Sequence, residues 1–409
     1  MIPVDEALAI VLKETVALGD EPVALLDADG RVLAEDVRSD IDMPPFDRAA
    51  MDGYALRPAD LGAIPARLRV VEQVRAGQLA RRRVEAGQAI QIMTGAPVPD
   101  GATAIQPIEK TRPLEPAGEV EILAPVEEGA HIARRGSEVR EGDGVLRRGQ
   151  LLGPAALAVL AAVGRSRVRV GRRPRVAILV TGDELVGVDQ RPSAGQIRNS
   201  NGPAVLCQAR RAGADARLAE PLPDDMERIT RAIAEGLAAG DVLVVSGGVS
   251  AGVYDLVEPA LARCGVATHF ERVSIKPGAP LVFGTRGRTL VFGLPGNPVS
   301  AQVTFDIFVR AALLRLQGAE TVSRPVLDVE LSAPLKNRSG RRNHIPARVG
   351  SEQGRLVARP IASQGSADIV AHAGANALLI LEAERTQAAA GERVPALLLG
   401  SFLEQSGAA

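Results

Sequence analysis

The sequence predicts an α/β multidomain protein with a central doubly wound parallel sheet, an inserted β-rich domain and a C-terminal β-barrel-like domain. Three observations lead there. Residues 176–180, 242–245 and 290–292 are short apolar runs with helical spacing between them, the pattern of buried parallel strands. Each run ends in a glycine-rich loop: Thr181-Gly182-Asp183-Glu184-Leu185, Ser246-Gly247-Gly248-Val249-Ser250-Ala251-Gly252, and Leu294-Pro295-Gly296-Asn297-Pro298. Residues 42–138 and the chain beyond Pro325 lack that rhythm, and carry short apolar stretches broken by Gly and Pro.

In chain order, Pro3 opens an amphipathic helix with Val4, Leu8, Val11 and Leu12 on one face. A turn at Asp29-Gly30 leads to an expected strand over residues 31–37. Residues 89–93 and 104–108 read as strands of the inserted domain. Pro154 starts an Ala-rich helix that stops at Gly164. Asp224 and Glu227 have capping-box spacing ahead of Ile229, Ile233 and Leu237, with Gly240 as the stop. Pro298 begins a long helix to about residue 316, and runs at 326–331, 356–361, 377–381 and 394–399 form the last β module. The resulting domains are 1–41 with 139–170, 42–138, 171–324 and 325–409.

Composition excludes several function classes. Aromatics make up 2% of 409 residues and Trp is absent, so base-stacking platforms are not expected. The net charge of −1 argues against nucleic-acid or anionic-membrane partners. No run approaches the roughly 20 apolar residues that span a bilayer, and the first residues lack leader character, so a cytoplasmic protein is expected. Cys207 and Cys264, each in an expected helix among apolar residues, read as buried spectators. His131, His269, His344 and His372 lack ligand spacing for zinc.

In parallel sheets ligands bind at the carboxyl ends of strands. Glycines there bring backbone amides close to an anion, so Gly182, Gly247, Gly248 and Gly296, with Ser246, Ser250 and Asn297, suit phosphate. Asp183, Glu184 and Asp255 suit a hard cation, with Mg²⁺ the best match because it takes one or two carboxylates plus substrate phosphate. Lys13, Lys110, Lys276 and Lys336 are the only lysines among 48 basic residues. Lys276, beside a Pro-Gly turn, is therefore either an oxyanion ligand or a solvated loop lysine. Arg134-Arg135-Gly136 reads as a phosphate clamp or a solvated turn. Ser246 and Ser250 lack the context of a nucleophile elbow.

Taken together, these strings resemble the molybdopterin molybdenumtransferase family (MoeA, also found as the gephyrin E domain). The shared strings are Met43-Pro44-Pro45-Phe46-Asp47, Ala50-Met51-Asp52-Gly53-Tyr54, Ile92-Met93-Thr94-Gly95-Ala96, the three glycine loops with Asp255, and Lys276-Pro277-Gly278. The resemblance implies a central domain of molybdopterin-binding type and a homodimer with a site built partly from the other subunit. It also implies insertion of molybdate into adenylated molybdopterin with release of AMP, dependent on Mg²⁺. By motif position, Asp52, Glu184 and Asp255 become the acidic, metal-handling residues. Lys276 joins them in catalysis, while Thr94, Asp225, Pro295, Pro298, Arg348 and Ser366 join the substrate-binding set. Molybdopterin adenylyltransferase and molybdoenzyme acceptors are the implied partners. The alternatives are a tungstate insertase and a non-catalytic cofactor carrier or scaffold; buried carboxylates gain a carrier of anions nothing. An adenylyltransferase would share the parallel sheet but not the extra domains. Ala133, Ser137, Val253 and Ala279 depart from the family pattern, and Ala133 and Ala279 remove two positive charges, so weak molybdate binding, improved by Ala279→Lys, is expected.

Overall fold

A computed structural model describes residues 1–115, 118–248 and 256–400. The chain divides into two compact units, one formed by Met1–Glu35, Arg148–Pro154 and Arg167–Ala409, the other by Asp36–Arg147 and Ala155–Ser166.

The larger unit is organised by a six-stranded sheet in the order Asp215–Leu218, Arg175–Val180, Val242–Ser246, Thr289–Leu294, Pro280–Arg286, Ala267–Arg272. The first four strands are parallel and the last two antiparallel. Side chains alternate between faces along a strand. Val242 and Val244 thus join one core with the helices Asn201–Arg211 and Pro298–Thr304. Leu243 and Val245 join another, with Ile229, Ile233 and Leu237 of the helix Met226–Ala239. Both faces are covered, which is why these strands read as unbroken apolar runs rather than alternating ones. The N-terminal helix Val4–Glu14 buries Val4, Ala7 and Val11 in the first core.

The last long helix starts at Pro298 as expected and reaches Leu316 through a π-helical segment, Phe305–Val309. Beyond it the strands Val326–Leu331, Arg355–Pro360, Arg342–Glu352, Ala377–Leu381 and Arg393–Leu398 pair into a closed five-stranded ring around Val329, Val349, Leu379 and Ala396. Arg342–Glu352 was not legible, because Pro346 and flanking charges break its apolar pattern. The smaller unit holds a second six-stranded sheet in the order Ala104–Pro107, Gly53–Leu56, Gln88–Ile92, Ala66–Val74, Glu119–Ile122, Thr111–Leu114.

Three expectations are corrected. Residues 31–37 form no continuous strand: Val32 and Leu33 make isolated bridges, and regular pairing begins only at Val37–Arg38. The cause is Glu35, whose carboxylate takes the Arg169 amide at 2.8 Å and so replaces a ladder bond. The cap of Met226–Ala239 is Asp225, not Asp224. Its extended backbone lets Oδ1 accept the Arg228 amide at 2.8 Å, which leaves Glu227 one position too early for a capping box. Cys207 is exposed, since it lies between the buried Val205 and Ala209 on the outer side of its helix, and Cys264 is half-buried just past the end of Val257–Arg263.

Candidate functional site

The carboxyl ends of the central parallel strands open into two abutting clefts that share Gly296 and Asn297. The first, about 750 Å³, is lined by Thr181, Gly182, Glu184, Asn201, Asp224, Ser246, Gly247, Gly248 and Pro298 among others. The second, about 540 Å³, takes in Lys276, Gly278, Ala279, Pro295, Arg341, Asn343, His344, Ser366 and Asp368.

Local backbone geometry makes the first cleft. Gly247 has φ +99°, and a Cβ there would lie 2.5 Å from the Thr181 carbonyl oxygen, so only glycine lets the two loops touch. At Gly182 a Cβ would meet Glu184 Oε2 at 2.6 Å, because the Glu184 carboxylate folds back over the glycine. That carboxylate is exposed and has no partner among the described residues, whereas neighbouring Asp183 accepts the Asp224 amide at 3.0 Å. Thr181 Oγ1 is buried without a partner among the described residues. Asn201 was missed by the sequence reading. Its Nδ2 donates to Ser246 Oγ at 2.9 Å and to the Gly296 carbonyl at 2.8 Å, stitching two glycine loops together. The turn-forming run Asn199-Ser200-Asn201-Gly202 ahead of a helix was the signal available for it.

The second cleft is joined to the first by Asn297, whose Nδ2 donates to Ser366 Oγ at 2.9 Å. Lys276 is exposed on a short strand that pairs in parallel with Arg342 and Asn343 of the barrel. Burial and the adjacent Arg342 push the His344 imidazole down to about 3, so it is neutral, and its ring bonds the Lys276 backbone. Arg342 locks this corner by engaging both oxygens of Asp5, at 2.7 and 2.8 Å, and Glu382 at 2.8 Å. Asp368 accepts the Gln364 and Ala371 amides and caps the helix Ile369–Ala373, which leaves it little capacity for a ligand.

The remaining expected residues fall elsewhere. Asp52 and Thr94 meet in the smaller unit, where Asp52 Oδ1 accepts both the Thr94 amide and hydroxyl at 2.7 Å. The Thr94 amide, then its hydroxyl, hold the Asp52 carboxyl below its usual range, and Oδ2 stays uncommitted. Arg134 and Arg135 are also there, and their guanidinium groups form exposed ion pairs with Asp47 and Asp42, each at 2.6 Å. Asp225 is occupied as a helix cap, and Arg348, on the strand Arg342–Glu352, lines neither cleft. Ser250, Val253 and Asp255 lie outside the described residues. Among the described residues no three His, Cys, Asp or Glu side chains gather as a metal-binding group. The uncommitted Glu184 carboxylate beside an unsatisfied hydroxyl nevertheless fits a hard cation that completes its shell with substrate oxygens.

Comparison with known proteins agrees along the whole chain. The family model for the MoeA N-terminal region (domain I and II) matches residues 2–164, "Probable molybdopterin binding domain" matches 177–315, and the MoeA C-terminal region (domain IV) matches 328–399. A molybdopterin molybdenumtransferase of Bacillus subtilis is 32% identical over 97% of this chain and 94% of its own length. One from Staphylococcus aureus is 30% identical over 98% and 96%. The crystal structure of a molybdopterin biosynthesis moeA protein from Pyrococcus horikoshii OT3 superposes with a TM-score of 0.83 at 32% identity, covering 97% of this chain and 100% of that one.

Proposed function

The chain belongs to the molybdopterin molybdenumtransferase family, and from that membership we propose how its two clefts divide the work. The protein acts in molybdenum cofactor biosynthesis, inserting molybdate into adenylated molybdopterin with release of AMP. Its relatives are named for molybdenum, so the tungstate alternative is not favoured.

The observation that carries the division of labour is the meeting of the clefts at Gly296 and Asn297. In our reading the first cleft takes the adenylate and its phosphates. The Gly182, Gly247 and Gly248 loop segments admit the anion closely, and Asn201 fixes their spacing. Glu184, together with Asp255, would hold Mg²⁺, which when bound supplies charge neutralisation at the phosphates. The second cleft takes the tetrahedral oxyanion against Lys276 and Ser366, next to the point where the phosphate linkage is broken. Holding two anions side by side costs Coulomb energy, and Lys276 offsets part of it. Asp52, kept ionised by Thr94, offers one free oxygen to a metal or a proton. We further read the active form as a homodimer, organised in the four domains given above.

The test is AMP release from purified protein with adenylated molybdopterin, molybdate and Mg²⁺. Release is expected to be stimulated by molybdate and to need Mg²⁺. Glu184→Gln, which keeps the shape and removes the charge, is expected to lower turnover at least about 100-fold with an unchanged melting temperature, in line with the loss of one transition-state contact. Saturating molybdate without effect on the wild-type rate would sink the reading.

A further inference from the structure

Arg341 stands immediately before the strand that carries Lys276's pairing partners. Ile275 and Lys276 pair in parallel with Arg342 and Asn343, so Asn343 lies opposite the lysine and Arg341 stands two residues before it on the neighbouring strand. Side chains alternate along a strand. Arg341 and Asn343 both line the second cleft, while Arg342 between them turns to Asp5 and Glu382.

The backbone of Arg341 is held firmly. Asn337 Nδ2 donates to its carbonyl at 2.9 Å, Ser339 Oγ donates to the same oxygen at 3.3 Å, and the Arg341 amide donates back to Ser339 Oγ at 3.3 Å. Asn337 is itself 1% exposed. The guanidinium, by contrast, has no partner among the described residues. Arg134, Arg135, Arg324 and Arg342 are instead paired with carboxylates. The one carboxylate lining this cleft, Asp368, is turned to helix amides, and the one imidazole, His344, is neutral. A fixed backbone carrying five unspent donors in a cleft that Lys276 also lines is suited to an oxyanion, since the guanidinium fork reaches two oxygens of a tetrahedral anion at once.

We propose that Arg341 is the second cationic ligand of the oxyanion in the Lys276 cleft, supplying the charge that the buried methyl of Ala279 on the same wall does not. The assignment rests on reading this cleft as the molybdate subsite, and it replaces the expectation that the subsite is weak for want of a second cation. It also reverses the expected outcome for Ala279→Lys, because a third cation confined in about 540 Å³ adds repulsion before it adds contacts.

The experiment measures molybdate binding to the full-length protein by titration calorimetry, alongside the molybdate concentration giving half-maximal AMP release. Arg341→Gln is expected to raise both by roughly 10- to 100-fold, the range for one charge-assisted contact, with the KM for adenylated molybdopterin unchanged. Arg172→Gln, the same charge change on a residue outside both clefts, is expected to leave both alone. Ala279→Lys is expected to recover affinity only in the Arg341→Gln background and to leave the otherwise wild-type protein no tighter. Arg341→Gln within about two-fold of wild type, with its fold intact by circular dichroism, overturns the assignment and makes Arg341 a solvated surface residue. Wild-type protein that neither binds molybdate nor responds to it overturns instead the functional reading beneath.

Discussion

Single residues in this protein are explained by what their polar atoms are already spent on. Glu184 and Arg341 stand out because the carboxylate of one and the guanidinium of the other have no partner among the described residues, whereas Asp183, Asp225, Arg134 and Arg135, singled out in sequence, and Asp368, which lines the second cleft, are committed to caps, turns and ion pairs. His344 shows the same principle in its titration. Burial first, then Arg342, depress it from 6.5 to about 3, so below about pH 6.5 the unfolded chain binds a proton that the native protein refuses. Stability is therefore expected to fall as pH drops from about 6.5 towards 3. His344→Gln, which keeps a donor for the Lys276 backbone but cannot titrate, is expected to flatten that decline. Urea unfolding midpoints at pH 7 and pH 5 check it, and equal slopes for the two proteins would refute a buried neutral imidazole.

Elements decide which residues meet. The strands at 175–180, 242–246 and 289–294 deliver three loops to one edge, and a helix starting at Asn201 or Pro298 closes each side of the first cleft. The helix Met226–Ala239 owes its start to one hydrogen bond from the Arg228 amide to Asp225 Oδ1. Asp225→Ala is expected to cost about 1 kcal/mol of stability in chemical denaturation, as cap removals do. An unchanged midpoint together with lost turnover would return Asp225 to the ligand-binding set that its motif position suggested.

At the scale of the whole molecule, Leu26, Leu79 and Val370 are largely exposed, but single exposed apolar side chains do not mark an interface, so the assembly we propose rests on the family resemblance. The homodimer we propose predicts light scattering at twice the chain mass at micromolar concentration, and a monomer mass would contradict it. Sequence by itself determined the layered architecture, because strands buried on both faces must be apolar throughout and the turns between them need glycine at fixed places. It also marked Gly182, Glu184, Ser246, Gly247, Gly296 and Asn297 as cleft residues, since loops at parallel strand ends converge whatever the details of packing. The tertiary structure alone decided the rest. Arg134 and Arg135 paired with Asp47 and Asp42, Asp225 displaced Asp224 as cap, and Arg342–Glu352 formed a strand through Pro346. Arg341 reached the cleft of Lys276 from 65 positions along the chain, by the parallel pairing of Ile275 and Lys276 with Arg342 and Asn343. Periodicity reports which face of an element is buried. Which polar atoms are already satisfied depends on neighbours that are distant in sequence, and that is settled only when the chain has folded.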